Sequence, residues 1–216
     1  MATTAAQPGA AADEAWLIRA QRGAYWTGSR LFVAVSAMLF VGGLFAYFYL
    51  RSLNSNGLWR APGQRPSPEL SFAVLVLVLA SAGLFIWVSR SLRRGRRGPL
   101  DWRVASVTTI VLLVGALSLQ IWELGRLRFF PGSSGFASVY VGVMPVYVAY
   151  LGIGAYWVET LLARSLRVRW VLAPVGENAQ GQEVVAFNGS MNGAVLFLGF
   201  LSVLAATFFV LFSIIR

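Results

Sequence analysis

Five long apolar runs constrain the fold of this chain more than any other feature. Each run holds roughly twenty residues, enough to cross a hydrocarbon core about 30 Å thick at 1.5 Å per residue. None of them alternates polar and apolar positions as a barrel strand does. Because lipid offers the backbone no water to bond, an isolated apolar segment in a membrane has to be helical. The sequence therefore predicts an all-α fold: a polytopic integral membrane bundle of five transmembrane helices.

The predicted domain organisation is an N-terminal tail followed by one membrane domain. The tail, residues 1–29, is Ala-rich and polar, and Trp16, Leu17, Tyr25 and Trp26 favour contact of its second half with the membrane interface. The membrane domain is residues 30–216. The connection over 168–192 is polar and predicts a small hairpin. The predicted spans are residues 31–50, 70–88, 104–122, 136–163 and 193–215.

The arginines predict the orientation of the bundle. The formal charge of +10 comes from arginine alone, since the chain has no lysine. Twelve arginines belong to the tail and to the connections after the second and fourth spans, and six belong to the opposite side. Cytoplasmic segments carry an excess of Lys and Arg. The tail is therefore predicted to be cytoplasmic, with the N-terminus inside and the C-terminus outside.

Two absent residue types exclude most redox and catalytic chemistry. The sequence contains no His and no Cys. It therefore has no imidazole or thiolate to ligate haem iron, copper or zinc, and no histidine general base. We predict no catalytic residue, no cofactor-binding residue and no metal ligand in this chain.

Two carboxylates near span ends are the candidate polar sites. Glu123 follows Gln120 at the end of the third span, and Glu159 near the end of the fourth is a candidate ion-pair partner of Arg164 at the inner interface. A charge at the centre of a helix costs about 2.5–3.5 kcal/mol and usually marks a transport function. No predicted span carries one at its middle, which disfavours ion-coupled carriers but leaves a passive pore open.

Two sequence segments resemble a known family. The first is the string LFAYFYLRS, which contains Tyr47, Tyr49 and Arg51 and leads into a Trp- and Pro-rich loop. The second is the third span, which closes on Gln120 and Glu123. Together they resemble subunit III of haem–copper cytochrome c oxidases, in the divergent five-helix form found in bacteria.

The chain departs from the pattern of that family at several positions. Ser36, or Ala37 if the alignment includes a gap, stands where members carry a glutamate in the first of these helices. Met144 and Tyr147 stand where members carry two histidines in the fourth span, and Leu124 replaces an aromatic residue after Glu123. The first departure removes any role that depends on the glutamate.

The resemblance implies a supporting role in a respiratory complex. It implies a non-catalytic accessory subunit that binds the catalytic oxidase subunit I and other oxidase subunits and holds structural phospholipid, in the bacterial cytoplasmic (inner) membrane. Haem and copper are then expected in the partner subunits. Three alternatives stay open: an accessory subunit of a nitric oxide reductase or quinol oxidase, a small membrane transporter or channel, and a membrane enzyme acting on lipid.

Overall fold

The computed structural model describes residues 8–53, 59–93, 101–167 and 182–215, and it contains five helices long and apolar enough to cross a membrane. The five-helix bundle predicted from the sequence is confirmed. A π-helical segment, Phe209–Ile214, continues the last helix. The helices are α1 Pro8–Ser52, α2 Pro68–Arg93, α3 Trp102–Gly125, α4 Gly135–Arg167 and α5 Gln182–Phe208.

Helix α5 lies at the centre of the bundle. It packs against α1, α2 and α4, while α2, α3 and α4 pack in chain order beside one another. In the most apolar stretch of the last helix, 44% of the residues are buried inside the bundle, whereas in that of α1 only 17% are. Helix α1 is therefore peripheral, and its outer face, including Val35, Met38 and Phe45, is exposed. An apolar face of this kind is expected where a helix meets lipid or another membrane chain.

The described part of the predicted tail, residues 8–29, is helical. Helix α1 begins at Pro8 and runs without a break into the first span. Alanine has the highest helix propensity, and proline is favoured at the first helical position, so this stretch extends the helix without apolar periodicity. Residues 1–7 lie outside the described residues.

The hairpin predicted over residues 168–192 is wrong for its second part. Residues 182–192 belong to α5, which begins 11 positions before the predicted start of the fifth span, and residues 168–181 lie outside the described residues. The helix is stabilised there by close packing on α1. A Cβ added at Gly189 would lie 2.7 Å from the Cβ of Tyr25, and one at Gly193 would lie 3.2 Å from the Cβ of Ser29, both on α1.

Candidate functional site

Four rings from four parts of the chain meet at one end of the bundle. Tyr47 from α1, Trp59 from the first connection, Phe136 from α4 and Phe212 from the π-helical segment form what we call the aromatic cluster. The Tyr47 ring lies edge-to-face on Trp59 at 5.1 Å and on Phe212 at 5.7 Å between centroids. Phe136 lies 6.0 Å from Trp59 and 5.9 Å from Phe212. These separations are typical of favourable aromatic pairs.

One side chain of the aromatic cluster and one beside it donate hydrogen bonds to backbone carbonyls near the end of the last helix. The Tyr47 hydroxyl donates to the Leu211 carbonyl at 3.0 Å, and it accepts a hydrogen bond from Arg51 at 3.3 Å. Arg60 donates to the Phe212 carbonyl at 3.3 Å. Carbonyls in the last turn of a helix have no partner within the helix. Tyr47 and Arg60 therefore tie α1 and the first connection to the end of the last helix.

The first connection is an ordered turn structure over its described part, 59–67. Gln64 donates to the Ser133 hydroxyl at 3.1 Å and accepts from the Ser134 hydroxyl at 2.5 Å. Arg60 donates to the Gln64 carbonyl at 2.8 Å and lies 4.1 Å from the centre of the Phe136 ring. These bonds join the connection before α2 to the turn before α4.

Burial, and next the neighbouring Arg65 charge, lower the pKa of the Arg60 guanidinium. Its ordinary pKa is so high that it stays charged at neutral pH. Arg60 therefore remains a full cation while it ties the connection to the end of the last helix.

Several polar side chains surround Glu123 at the same end of the bundle. Glu123 is 3% exposed and Gln120 is 2% exposed. The Gln120 amide donates to the carboxylate at 3.0 Å, and the Ser71 hydroxyl of α2 donates at 3.4 Å. The buried Tyr140 hydroxyl lies beside this pair without a hydrogen bond of good geometry. We call Ser71, Gln120, Glu123 and Tyr140 the Glu123 cluster.

The two clusters are continuous. The Tyr140 ring lies 5.0 Å from Phe212 and 5.9 Å from Phe136, so a member of the Glu123 cluster packs directly on the aromatic cluster. The two sequence segments that carry the resemblance, far apart in the chain, are therefore linked through Phe212 and Tyr140 in one buried assembly.

Comparison with models of known protein families and with curated proteins gives no match.

Three of the candidate residues lie away from this assembly. Tyr49 is 53% exposed and stacks on Phe45. Glu159 and Arg164 are both exposed on α4. Five positions correspond to about 140° around a helix, and the described residues contain no salt bridge between the two. Their ion pair stays a prediction.

Sequence reasoning missed several members of the assembly. Trp59 belongs to the Trp- and Pro-rich loop of the resemblance, but the sequence predicts no contact for it. Phe212, Tyr140 and Ser71 carry no signal, because single aromatic and hydroxyl residues are common in apolar spans. Among the described residues, no three side chains of metal-binding type lie together.

The Glu123 cluster leads to a stability prediction. Replacing Glu123 by leucine leaves the buried Gln120 amide without its acceptor, which is expected to cost about 1–3 kcal/mol. Glu123→Gln keeps an acceptor oxygen and is expected to lose less. Thermal unfolding of the detergent-purified chain measures both, and Glu159→Leu on the exposed face of α4 is the control. Equal melting temperatures for Glu123→Leu and Glu159→Leu would show that the cluster does not stabilise the bundle.

Proposed function

We propose that this chain is a non-catalytic accessory subunit of a haem–copper terminal oxidase, similar to subunit III of that family. It would act by binding the catalytic subunit within the membrane. The observation that carries the proposal is the link between the two resembling segments through Phe212 and Tyr140. Tyr47 and Arg51 of the first segment and Gln120 and Glu123 of the second contribute to one buried assembly at one end of the bundle.

The chemistry of the described residues supports a role without catalysis. Glu123 is bonded by neutral donors and is buried. Ser36, at the position where the family carries a glutamate, is 1% exposed and donates to the Phe32 carbonyl of its own helix. Met144 and Tyr147, at the positions of the two family histidines, are buried core residues. A structural function fits such side chains better than proton transfer.

The transporter alternative receives less support. A carrier or pore needs polar groups along a path through the membrane. The buried hydroxyls of Ser81 and Thr109 instead donate to carbonyls of their own helices, at 2.8 Å in both cases. Hydroxyls bonded in this way are common in membrane helices and do not require a transported ligand.

The test is purification of the tagged chain from its native membranes in mild detergent, followed by mass spectrometry of the proteins that accompany it. We expect a large, histidine-rich, multi-span partner, because haem and copper ligation needs residues that this chain lacks. The identity of the partner also separates a cytochrome c oxidase from a quinol oxidase or a nitric oxide reductase. The same chain expressed in a host without such oxidases is the control and is expected to purify alone. Recovery of the chain alone from native membranes, together with solute transport in liposomes, would replace the proposal with the transporter alternative.

A further inference from the structure

We propose that the outer face of α4 binds a transmembrane helix of a different protein chain, and that this helix carries an Arg or Lys that pairs with Glu159. The exposed residues of α4 recur every three or four positions, as one side of a helix requires. The inference concerns the face and the chemistry of its partner, and it does not depend on the proposed function. What we call the α4 face is made of Gly142, Pro145, Ala149, Ile153, Tyr156 and Glu159.

Glu159 lies within the membrane-spanning part of α4 and not at its end. Trp102, at the start of α3, donates to the Ser165 hydroxyl of α4 at 3.1 Å, so the two helices are level with each other there. Glu159 precedes Ser165 by six positions, which places it about 9 Å further into the span. A carboxylate at this depth on a surface that faces lipid is costly in free energy.

No cation among the described residues balances this carboxylate. Glu159 is exposed, and it makes no hydrogen bond or ion pair with any residue that the structure describes. Charged residues within membrane spans almost always face the interior of a bundle or pair with one another. A carboxylate that faces outward in a span therefore indicates a cation on a neighbouring chain. The positions three and four away on the same helix, where a cation would be adjacent, hold Ala155, Tyr156, Leu162 and Ala163.

Pro145 leaves a second polar group on this side of the helix without its usual partner. Proline has no N–H, so the bond that residue 145 of an α-helix donates to the Val141 carbonyl is missing. Residues four positions apart lie on the same side of a helix, and Pro145 is exposed. In a membrane, carbonyls freed by proline are satisfied by donors such as those of neighbouring helices. A partner helix on the α4 face can supply such a donor.

The part of the α4 face around Pro145 leaves room for close approach of another helix. Gly142 and Ala149 lie on either side of Pro145 along this face. A Cβ added at Gly142 would meet nothing within 4 Å. Small residues allow membrane helices to pack with their backbones close together. The α4 face therefore combines a shallow recess near one end with a carboxylate near the other.

The charge pattern favours a different chain over a second copy of this one. In a two-fold pair, residues near the axis meet their own copies. Glu159 would then face Glu159 of the second copy, and like charges repel. Arg164 does not relieve this repulsion, because five positions place it about 140° around the helix from Glu159. Lipid chains carry no cation at this depth, so they do not satisfy the carboxylate either.

The test is photo-crosslinking in native membranes from the α4 face. The probe p-benzoylphenylalanine replaces Ala149 or Ile153, and mass spectrometry identifies the peptide to which it attaches. We expect one membrane-spanning segment of another protein, with an Arg or Lys level with Glu159. The control places the probe at Met38, which is 77% exposed on the outer face of α1, and is expected not to reach that segment. Adducts with lipid alone, or with a second copy of the chain, overturn the proposal.

Variants of Glu159 test the charge pair directly. Glu159→Gln is expected to lower the yield of the adduct at least about fivefold, a typical contribution of one polar contact between membrane helices. Glu159→Asp keeps the charge and is expected to retain part of the yield. Glu159→Arg is expected to abolish the adduct, and a glutamate in place of the partner's cation is expected to restore it. Unchanged yield with Glu159→Gln, or no recovery in the double reversal, overturns the proposal.

Gly142→Leu tests the recess separately, with the probe at Ile153. The added side chain fills space that this chain leaves open, so we expect the fold to be kept and the yield of the adduct to fall at least about fivefold. Gly42→Leu on α1, where a Cβ also meets nothing within 4 Å, is the control and is expected to leave the yield unchanged. Thermal unfolding of the purified chain shows whether both variants are folded. Equal yields from the two folded variants overturn the proposal.

The outcome also separates this inference from the proposed function. A haem-bearing partner that co-purifies with the chain but does not crosslink to the α4 face overturns the inference and leaves the proposed function standing. A cation-bearing segment from a complex without haem supports the inference and counts against the proposed function.

Discussion

Replacing Tyr47 by alanine is expected to destabilise the bundle by about 3–5 kcal/mol, the usual cost of removing a large buried ring. Tyr47 is 1% exposed, and its ring contacts both Trp59 and Phe212. The substitution also removes the hydrogen bond to the Leu211 carbonyl. The change therefore opens a cavity and loosens the contact between α1 and the end of the last helix. Thermal or SDS-induced unfolding of the purified chain measures the loss.

The matched control is two positions further along the same helix. Tyr49 is 53% exposed, and Tyr49→Ala removes the same side chain from the outer face. It is expected to change stability by less than about 1 kcal/mol, as exposed substitutions usually do. Tyr47→Phe keeps the ring and isolates the hydrogen bond, with an expected cost of about 0.5–1.5 kcal/mol. Similar losses of stability for Tyr47→Ala and Tyr49→Ala would show that the aromatic cluster does not stabilise the bundle.

Replacing Gly189 by alanine is expected to destabilise the packing of α1 on α5 by about 1–3 kcal/mol, the usual cost of overpacking. The added Cβ would lie 2.7 Å from the Cβ of Tyr25, an atom joined directly to the α1 backbone. A rotamer change cannot move that atom, so the helices have to separate. Unfolding of the purified variant measures the loss of stability.

Gly199 on the same helix provides the control for Gly189. A Cβ at Gly199 meets nothing within 4 Å. Gly199→Ala is expected to be neutral or to stabilise the helix by up to about 1 kcal/mol, because alanine loses less backbone entropy than glycine. Equal stability of the two variants would show that α1 does not approach α5 closely at Gly189.

The membrane fold was predictable because apolar length alone determines which segments can cross a bilayer. The positions at which α1 and α5 begin, well before their apolar runs, were not predictable from the sequence. The stretch from Pro8 to Ser29 has no long apolar run, and its helical state depends on alanine propensity and continuity with α1. The segment before Gly193 contains Asn and Ser and suggests a loop, but its helix is stabilised by α1, whose approach cannot be derived from local sequence.

The candidate site was predictable only where its members are close in sequence. Gln120 and Glu123 are three positions apart, and such residues are neighbours on a helix surface. The contact of Tyr47 with Leu211 spans 164 positions and requires the tertiary fold. The position of the Trp59 ring requires a glycine at position 135, because a Cβ on Gly135 would lie 3.0 Å from that ring. Neither contact leaves a periodic pattern in the sequence.

The most direct test of the proposed accessory function is a reduced-minus-oxidised optical spectrum across the size-exclusion peak of the tagged chain purified from native membranes. We expect haem absorbance that co-elutes with the chain at a constant ratio and is supplied by a partner, since the chain itself has no histidine or cysteine. A colourless peak that contains the chain alone would contradict it.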